Sequence, residues 1–407
     1  MERTILHCDC NGFYASVECI LNPLLVDVPM AVAGNPDSRH GIILAKNELA
    51  KKYGIQTAET IWQARKKCPN LVLVPPQHHQ YAKYSRLVNE IYGEFSDLVE
   101  PFGIDESWLD VTGMYKILGS GSEIADKIRA TVKKKLGLTI SVGVSFNKIF
   151  AKLGSDYKKP DATTIISKNN YQSIVFPLPV NQLLYVGKVA TVTLARLNIT
   201  TIGELANSKK ELIAGCLGKM GEMIWEYANG IEDSPVKPAG ESREIKSIGN
   251  GMTFKRNLLG IEDIRLGINA LADEVAWRMR KSGLKCETLQ VTIKDVELKT
   301  ISRQKKLAVP THLAKELAQA ALELVLSAWK LDVPVRMLTI TAANLLSANS
   351  IPSQLEMFAN SATLAKEKQE KLESTMDTIR SKYGKGAITM ASIMQNDLGI
   401  HEYKAEE

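Results

Sequence analysis

The chain has 407 residues, of which 45% are hydrophobic and 24% charged, and its formal net charge is +6. This length and composition are typical of a soluble globular protein with about two to four domains. No run of about 18 apolar residues is present, which excludes a membrane-spanning helix, and the N-terminus lacks the pattern of a signal peptide. The six cysteines form no CxxC pair, so we expect reduced thiols and a cytoplasmic protein.

The first predicted element is a short apolar strand, residues 4–9, that ends in an acid, Asp9. The elements predicted after it are a helix from about residue 14, a small unit around 30–33 and 41–45, helices at 47–53 and 78–95, a helix capped by Ser122 and ended by Gly137, a strand at 139–144 and a helix at 148–157. This alternation of strands and helices predicts a mixed sheet with helices packed on it.

Residues 100–111 predict a β-hairpin with two adjacent carboxylates, Asp105 and Glu106, at its apex. Neighbouring side chains on a regular strand point to opposite faces, so these two can share one centre only where the backbone bends. Gly103 permits such a bend. The dipeptide alone carries little weight, because Asp273-Glu274 repeats it in a segment patterned as an ordinary helix with a solvated face.

Asp9 gives the hairpin its significance. A buried strand that brings one carboxylate beside a hairpin bearing two more is the arrangement of a two-metal site. Hard cations such as magnesium prefer oxygen ligands of this kind. The sequence therefore predicts a magnesium centre formed by Asp9, Asp105 and Glu106.

The second half of the chain predicts a helical segment, a linker and a basic module. Residues 167–240 contain short helices with glycine-containing turns, and two prolines and a glycine at 235–240 indicate a linker. A β-α-β-β-α-β order follows, with strands near 246–254, 288–296, 301–307 and 335–343 and helices near 261–282 and 313–329. Residues 241–346 carry 17 basic and 12 acidic side chains, a net +5, which favours contact with a phosphate backbone.

Three motifs in this order and spacing resemble the Y-family translesion DNA polymerases, most closely their bacterial polymerase IV and UmuC-like branches. The matching segments are Asp9 with residues 13–18 (FYASVE), residues 103–107 (GIDES) and residues 141–145 (SVGVS). The resemblance covers roughly residues 1–346 and implies an α+β multidomain fold, a right-hand polymerase. Its implied domains are a palm at 1–18 and 78–166, small fingers at 19–77, a helix-hairpin-helix thumb and linker at 167–240, a β-α-β-β-α-β little finger at 241–346, and a clamp-binding peptide and tail at 347–407.

The resemblance implies template-directed, low-fidelity extension of a primer past damaged bases by two-metal nucleotidyl transfer. The substrates would be primer-template DNA and deoxynucleoside triphosphates, the cofactor two Mg²⁺ ions with Mn²⁺ as a substitute, and the protein a monomer. In the family pattern Asp9, Asp105 and Glu106 are catalytic and, with the Cys10 carbonyl, hold the metals. The implied nucleotide contacts are Asn11, Gly12, Phe13, Tyr14, Lys51 and Lys159, with Tyr14 against the sugar C2′ position; Tyr14 could instead be a core residue at a helix start.

Two positions in the fingers depart from the family. Members commonly carry a tyrosine and an arginine that touch the triphosphate, where an ungapped match places Glu48 and Lys51. Lys51 keeps the charge but not the bidentate fork of arginine, and Glu48 would repel phosphate if it pointed inward. We therefore expect weaker nucleotide binding, or that Glu48 turns away and Lys46 or Lys52 substitutes.

The implied DNA contacts lie in the thumb and the little finger. Tyr185 stands where the first glycine of the thumb's helix-hairpin-helix turn is usual, so a plain helical turn is the alternative there. Backbone N–H groups at helix starts bind phosphates without reading sequence. The candidate contacts are Gly187, Lys188, Lys246, Ser247, Arg256 and Arg303, each of which could instead be ordinary surface.

Residues 354–358 (QLEMF) resemble the peptide by which bacterial polymerases bind the sliding clamp. The contacts would be made by Gln354, Leu355, Met357 and Phe358, with the leucine and phenylalanine as apolar anchors. The alternative is that Phe358 packs under the tail, in which a charged helix carries an apolar face. That face contains Leu372, Met376 and Ile379.

Two other functional classes fit part of the pattern. A nucleotidyl cyclase shares paired carboxylates but needs neither a thumb nor a basic DNA-binding module. A non-catalytic scaffold bound to DNA or to the clamp would not need Asp9, Asp105 and Glu106, and their presence argues against it.

Overall fold

The computed structural model describes residues 3–36, 41–241, 244–348, 361–393 and 396–400, with residues 361–365 and 392 described by their backbone only. The chain divides into two compact units, Met1–Ser242 and Arg243–Glu407. Within the described ranges, none of the helices combines the length and the apolarity needed to cross a bilayer.

The first unit is built on a five-stranded sheet. Its strands are β1 (Ile5–Cys10), β5 (Val99–Pro101), β6 (Glu106–Asp110), β7 (Ile140–Ser145) and β8 (Thr163–Ile166). The order is β5-β6-β1-β7-β8, in which β1 pairs antiparallel with both neighbours and β7 pairs parallel with β8. All six residues of β1 are buried, as expected for an apolar strand at the centre of a sheet.

A smaller sheet lies between the first strand and the hairpin in sequence. Its strands are β2 (Met30–Ala33), β3 (Ile43–Lys46) and β4 (Val72–Val74), in the order β3-β2-β4. The helices of the first unit are α1 (Phe13–Leu21), α2 (Glu48–Lys52), α3 (Ile61–Lys67), α4 (His78–Gly93), α5 (Tyr115–Leu118), α6 (Gly121–Leu136), α7 (Lys148–Tyr157), α8 (Tyr171–Val175), α9 (Lys188–Ala195), α10 (Ile202–Ala206), α11 (Lys210–Leu217) and α12 (Lys219–Ala228).

The start of α6 differs from the prediction. Ser120, not Ser122, is its N-cap: the Ser120 hydroxyl accepts the Glu123 N–H, and the Glu123 carboxylate accepts the Ser120 N–H. This reciprocal capping box requires the serine three positions before the glutamate, a spacing that Ser122 does not have. The predicted end at Gly137 is confirmed, since its φ of 70° is the left-handed conformation that glycine favours at this position.

The second unit has the predicted β-α-β-β-α-β order. Its elements are β9 (Ser247–Leu258), α13 (Gly260–Lys281), β10 (Leu284–Asp295), β11 (Thr300–Thr311), α14 (Ala314–Ala328) and β12 (Val335–Ser347), with the strands in the order β11-β10-β12-β9. One apolar core joins both helices to alternate residues of the strands. The opposite face of the sheet is polar: Gln290 donates an exposed hydrogen bond to Ser302, and the hydroxyls of Thr292 and Ser302 share another.

The tail of the second unit packs through its charged face. In α15 (Ser361–Tyr383) the buried side chains include Glu373 and Arg380, whereas Leu372 of the predicted apolar face is 53% exposed. Met376 and Ile379 are half-buried. Leu372 of the apolar face is therefore turned to solvent, because charge pairing sets the orientation of the helix.

Asp273 is the reason for that orientation. It was expected on a solvated face, but it is 5% exposed and holds the Arg380 guanidinium through two hydrogen bonds of 2.8 and 3.1 Å. Two turns along α13, Arg280 binds both carboxylate oxygens of Asp377 at 2.6 and 2.9 Å and also pairs with Glu373. The periodicity of α13 could not show this burial, because the partners lie about one hundred residues away.

Candidate active site

The end of β1 brings two carboxylates to one face of the sheet. The register places Asp9 directly opposite Glu106 on β6, and directly opposite residues project to the same face. Asp105 precedes β6 and lies in the turn, where its carbonyl accepts the N–H of Cys10 at 3.0 Å. Gly103 adopts a φ of 153° in the same turn. The predicted bend is confirmed, and it allows Asp105 and Glu106 to line one cavity despite being neighbours in sequence.

This cavity has a volume of about 430 Å³ and collects most of the predicted nucleotide contacts. Its lining includes the three carboxylates together with Cys10, Gly12, Phe13, Tyr14, Lys46, Glu48, Lys51 and Lys159. Asn11 is the exception: its side chain donates to Thr139 at 3.2 Å, accepts from Ser141 at 2.9 Å and lines a neighbouring cavity.

Two lysines partly neutralise the carboxylates, and a neutral histidine, whose pKa burial lowers to about 4, lies beside them. Lys159 lies 2.7 Å from Asp9 and 2.8 Å from Asp156. Lys152 donates a short hydrogen bond to Glu106. The fully buried His7 places Nε2 3.2 Å from the Glu106 carboxylate.

The electrostatics separate the three acids. Burial raises the pKa of Asp9 to about 6, although Lys159 opposes the shift, and burial and the Glu106 charge raise the pKa of Asp105. Burial also disfavours ionisation of Glu106, but His7 and Lys152 outweigh it and hold the pKa of Glu106 at about 2. The positive charge near Asp9 and Asp105 is therefore too small to offset the cost of burying their carboxylates.

The donor set fits divalent metal ions. Ligand atoms of His7, Asp9 and Glu106 lie within 4.8 Å of one another, and Asp105 lines the same cavity outside this cluster. Carboxylates whose pKa is raised by burial and mutual repulsion are stabilised by a cation. Burial raises the pKa of the Cys10 thiol well above its usual value, so only the carbonyl of Cys10 is suited to a hard cation.

Several known proteins are similar to this chain in sequence or in fold. Residues 8–156 match the model of the impB/mucB/samB family, and residues 245–357 match the model of its C-terminal domain. A protein of Acetivibrio thermocellus named DNA polymerase IV is 43% identical over 401 residues, which cover 98% of this chain and all of that relative. A DNA polymerase IV of Clostridium kluyveri is 36% identical, covering 97% of this chain and 99% of its own length.

A solved Y-family DNA polymerase chimera of Dbh and Dpo4 matches the fold with a TM-score of 0.74. The match covers 84% of this chain and 99% of that one at 23% identity. The chain belongs to the DNA polymerase IV family. The predicted resemblance and right-hand architecture are thereby confirmed, and the chain is a DNA polymerase.

The two departures from the polymerase pattern lie at the rim of the cavity. Glu48 and Lys51 form an ion pair of 3.4 Å, and their side chains are 59% and 52% exposed. Lys46, at the end of β3, donates to Thr57 at 3.2 Å and is half-buried. Burial and the charge of Lys51 lower the pKa of Lys46. The cavity therefore holds a third lysine besides Lys51 and Lys159.

Tyr14 is braced in this polymerase by a second aromatic ring. Tyr81 stacks on Tyr14 with ring centroids 4.0 Å apart and planes 13° from parallel. The Tyr81 hydroxyl in turn donates to the buried Glu18 carboxylate. This stack fixes the ring of Tyr14 at the cavity wall.

The unusual Tyr185 preserves the backbone of the turn in which it lies. Its φ of 69° is the left-handed conformation that glycine would adopt. Gly187 is the N-cap of α9 and Lys188 its first residue. Among the described residues no side chain caps this helix, so its first N–H groups remain available to a phosphate.

The candidate DNA contacts of the second unit are not equivalent. Arg256 is committed to two acids: it pairs with Asp263 and lies 2.6 Å from Asp397. Lys246, Ser247 and Arg303 are exposed. The predicted clamp residues 354–358 lie outside the described part of the chain.

Sequence reasoning missed His7 and Lys152. His7 lies two residues before Asp9 on β1, a spacing that places both on one face of the strand. Lys152 lies three residues before Ser155 on α7, and the Ser155 hydroxyl is 2.8 Å from His7 Nδ1. The i, i+2 spacing from Asp9 could have identified His7, whereas the contact of Lys152 with Glu106 required the tertiary structure.

Proposed function

We propose that this DNA polymerase performs translesion synthesis: low-fidelity, template-directed extension of a primer past damaged bases by two-metal nucleotidyl transfer. The observation that carries the proposal is the single cavity that holds Asp9, Asp105 and Glu106 beside three lysines and the ring of Tyr14. The acidic centre would hold the metal ions, and the neighbouring lysines would bind the negatively charged triphosphate.

In the proposed reaction the primer 3′-hydroxyl oxygen attacks the α-phosphorus of a deoxynucleoside triphosphate. A new phosphodiester bond forms, the bond from the α-phosphorus to the bridging oxygen breaks, and pyrophosphate leaves. Asp9, Asp105, Glu106 and the Cys10 carbonyl would hold two Mg²⁺ ions, or Mn²⁺ in their place. Bound there, the ions supply charge neutralisation and a more acidic hydroxyl.

The remaining residues of the cavity bind and orient the nucleotide in this proposal. Lys159 and Lys46 bind the triphosphate, with Lys46 in the role that the family's arginine fills, because Lys51 is partly engaged by Glu48. Tyr14 excludes a 2′-hydroxyl. The apolar core of the small sheet has nine buried residues, four of them alanines, and such small fingers would enclose the new base pair loosely.

Primer extension tests the proposal. The protein should extend a primer on undamaged DNA and past an abasic site when Mg²⁺ and deoxynucleotides are supplied. The same preparation incubated with ATP alone should release no pyrophosphate, which separates it from a nucleotidyl cyclase. Failure to extend any primer under these conditions would contradict the assignment.

We further propose that a monomer of this polymerase docks on the bacterial sliding clamp in the cytoplasm. The proposal is supported by residues 354–358, whose leucine and phenylalanine suit a two-anchor peptide. The double variant Leu355→Ala with Phe358→Ala should lose clamp-stimulated synthesis while keeping short-primer extension and thermal stability. A lower melting temperature with retained clamp stimulation would instead support packing of Phe358 under the tail.

A further inference from the structure

Helix α3 presents two chemically different faces. Ile61, Ala64 and the following Cys68 are buried in the core of the small sheet. Trp62, Arg65 and Lys66 lie on the opposite side and are exposed. The inner face explains why the helix is held in place, but it does not explain the outer residues.

Trp62 is the unusual member of this outer face. Its side chain is 64% exposed, and the Lys66 ammonium lies 3.8 Å from the ring centroid. All five tryptophans lie in the described part of the chain, and the other four are buried or half-buried. A large exposed aromatic ring flanked by cations is suited to stack on a nucleobase while the cations bind phosphates.

The two cations are available for such a contact. Neither Arg65 nor Lys66 forms an ion pair with a described acid, whereas the next residue, Lys67, is held by Glu59 and the carbonyl of Gly54. The outer face of α3 therefore combines one exposed ring with two cations that no described acid neutralises. A polyanion with unpaired bases complements both properties.

The position of α3 relates this face to the candidate active site. Thr60, the N-cap of α3, bridges to Ile42 at one end of β3, and Lys46 at the other end of β3 lines the nucleotide cavity. Four strand residues separate these points by about 13 Å. The aromatic face thus begins only a few nucleotide lengths from the cavity.

We propose that Trp62, Arg65 and Lys66 form a stacking platform for the single-stranded template ahead of the nucleotide cavity. Trp62 stacks on an unpaired base through the ring face that Lys66 leaves open, and the two cations bind the flanking phosphates. The proposal rests on the proposed function, because it requires a template strand that enters the cavity.

Overhang-dependent binding tests the platform. The wild-type protein should bind a primer-template with a six-nucleotide 5′ overhang more tightly than one with a single-nucleotide overhang. Trp62→Ala should weaken binding to the long overhang by about fivefold to thirtyfold and leave binding to the short overhang unchanged. Arg65→Ala with Lys66→Ala should reduce the salt dependence of binding to the long overhang only.

Tyr115→Ala provides the matched control, since Tyr115 is 66% exposed beside Lys116 on another helix of the same unit. It should change neither affinity. If the wild type, Trp62→Ala and Tyr115→Ala all depend equally on overhang length, the platform is overturned. A face that serves a protein partner instead of DNA would give this same result. Such a result would leave the proposed function intact if all three proteins still extend a primer.

Iodide quenching gives a second, independent measurement. Trp62 should supply most of the quenchable tryptophan fluorescence, and a single-stranded oligonucleotide should protect it. Trp62→Phe should remove the protected component. Quenching that remains unchanged with saturating oligonucleotide would overturn the proposal.

Discussion

Asp105-Glu106 and Asp273-Glu274 are the same dipeptide in two environments of one molecule. Asp273 is fully engaged by the Arg380 guanidinium, and Glu274 pairs with Arg278 and Lys385. Asp105 and Glu106 share a cavity with Asp9, and two ammonium groups lie in direct contact with these three carboxylates: Lys159 with Asp9 and Lys152 with Glu106. The first pair is electrically saturated, whereas the second has a surplus of negative charge.

This difference separates structural acids from functional ones. A buried charge that meets its full set of partners holds two elements together, and removing one partner is costly. Buried carboxylates that repel one another destabilise the fold but are prepared to bind cations. Burial alone does not distinguish the two cases, because Asp9 and Asp273 are both 5% exposed. The balance of partners does.

The largest expected effect is on catalysis. Asp105→Asn removes a charge from the unsaturated cluster with little change in packing, so primer extension should fall by about 10²- to 10³-fold. Circular dichroism and the melting temperature should remain near those of the wild type. Near-normal extension by this variant would show that the cluster is not the metal site.

The reciprocal change, Asp273→Asn, should affect stability instead. It leaves the buried Arg380 without its counter-charge, and we expect a loss of about 3–5 kcal/mol in the unfolding free energy of the second unit. Urea unfolding followed by the fluorescence of Trp277, on the same helix, measures the loss. Glu274→Gln is the control and should cost less than about 1 kcal/mol. An unchanged midpoint for Asp273→Asn would refute the saturated-pair interpretation.

Tyr14 tests a part of the cavity that carries no charge. Tyr14→Ala should lower the preference for deoxynucleotides over ribonucleotides by about 10- to 200-fold, the range expected when a pocket stops excluding one small group. The ratio of kcat/KM for the two sugars measures the effect, and Tyr84→Ala, which removes a half-buried tyrosine from α4, is the comparison. Unchanged sugar selectivity would mean that Tyr14 is a core residue.

Asp9→Asn should stabilise the polymerase when a chelator removes metal ions. The pKa of Asp9 is about 6 in the fold and 3.8 in the unfolded chain, so the wild type loses stability as the pH rises from about 4 to about 6. At pH 7.5 the variant should therefore be more stable by about 1–3 kcal/mol. At pH 4 the difference should largely disappear. A variant that is less stable at pH 7.5 would contradict the charge surplus.

The smallest expected effect concerns Glu48 at the rim. Glu48→Gln removes an acid that engages Lys51, so the KM for deoxynucleotides should fall by about two- to fivefold, in the range of an exposed ion pair. Glu90→Gln, an exposed acid on α4, should leave the KM unchanged. A higher KM for Glu48→Gln would indicate that Glu48 supports nucleotide binding.

Local sequence determined much of this polymerase. The apolar run that ends in Asp9, the glycine before Asp105 and the glycine that ends α6 are properties of neighbouring residues, and the structure confirms each of them. The β-α-β-β-α-β order follows in the same way from periodicity. Such features depend on contacts a few residues apart, which a sequence displays directly.

Only the tertiary structure decided which charges are saturated. Asp273 and Arg380 are separated by 107 residues, and Lys152 and Glu106 by 46. In the sequence Arg256 resembles a cation available to DNA, but the fold places Asp397 beside it. Periodicity predicts which face of an element is apolar, but a charge is structural or functional according to the partners that distant segments bring to it, and those partners exist only once the chain has folded.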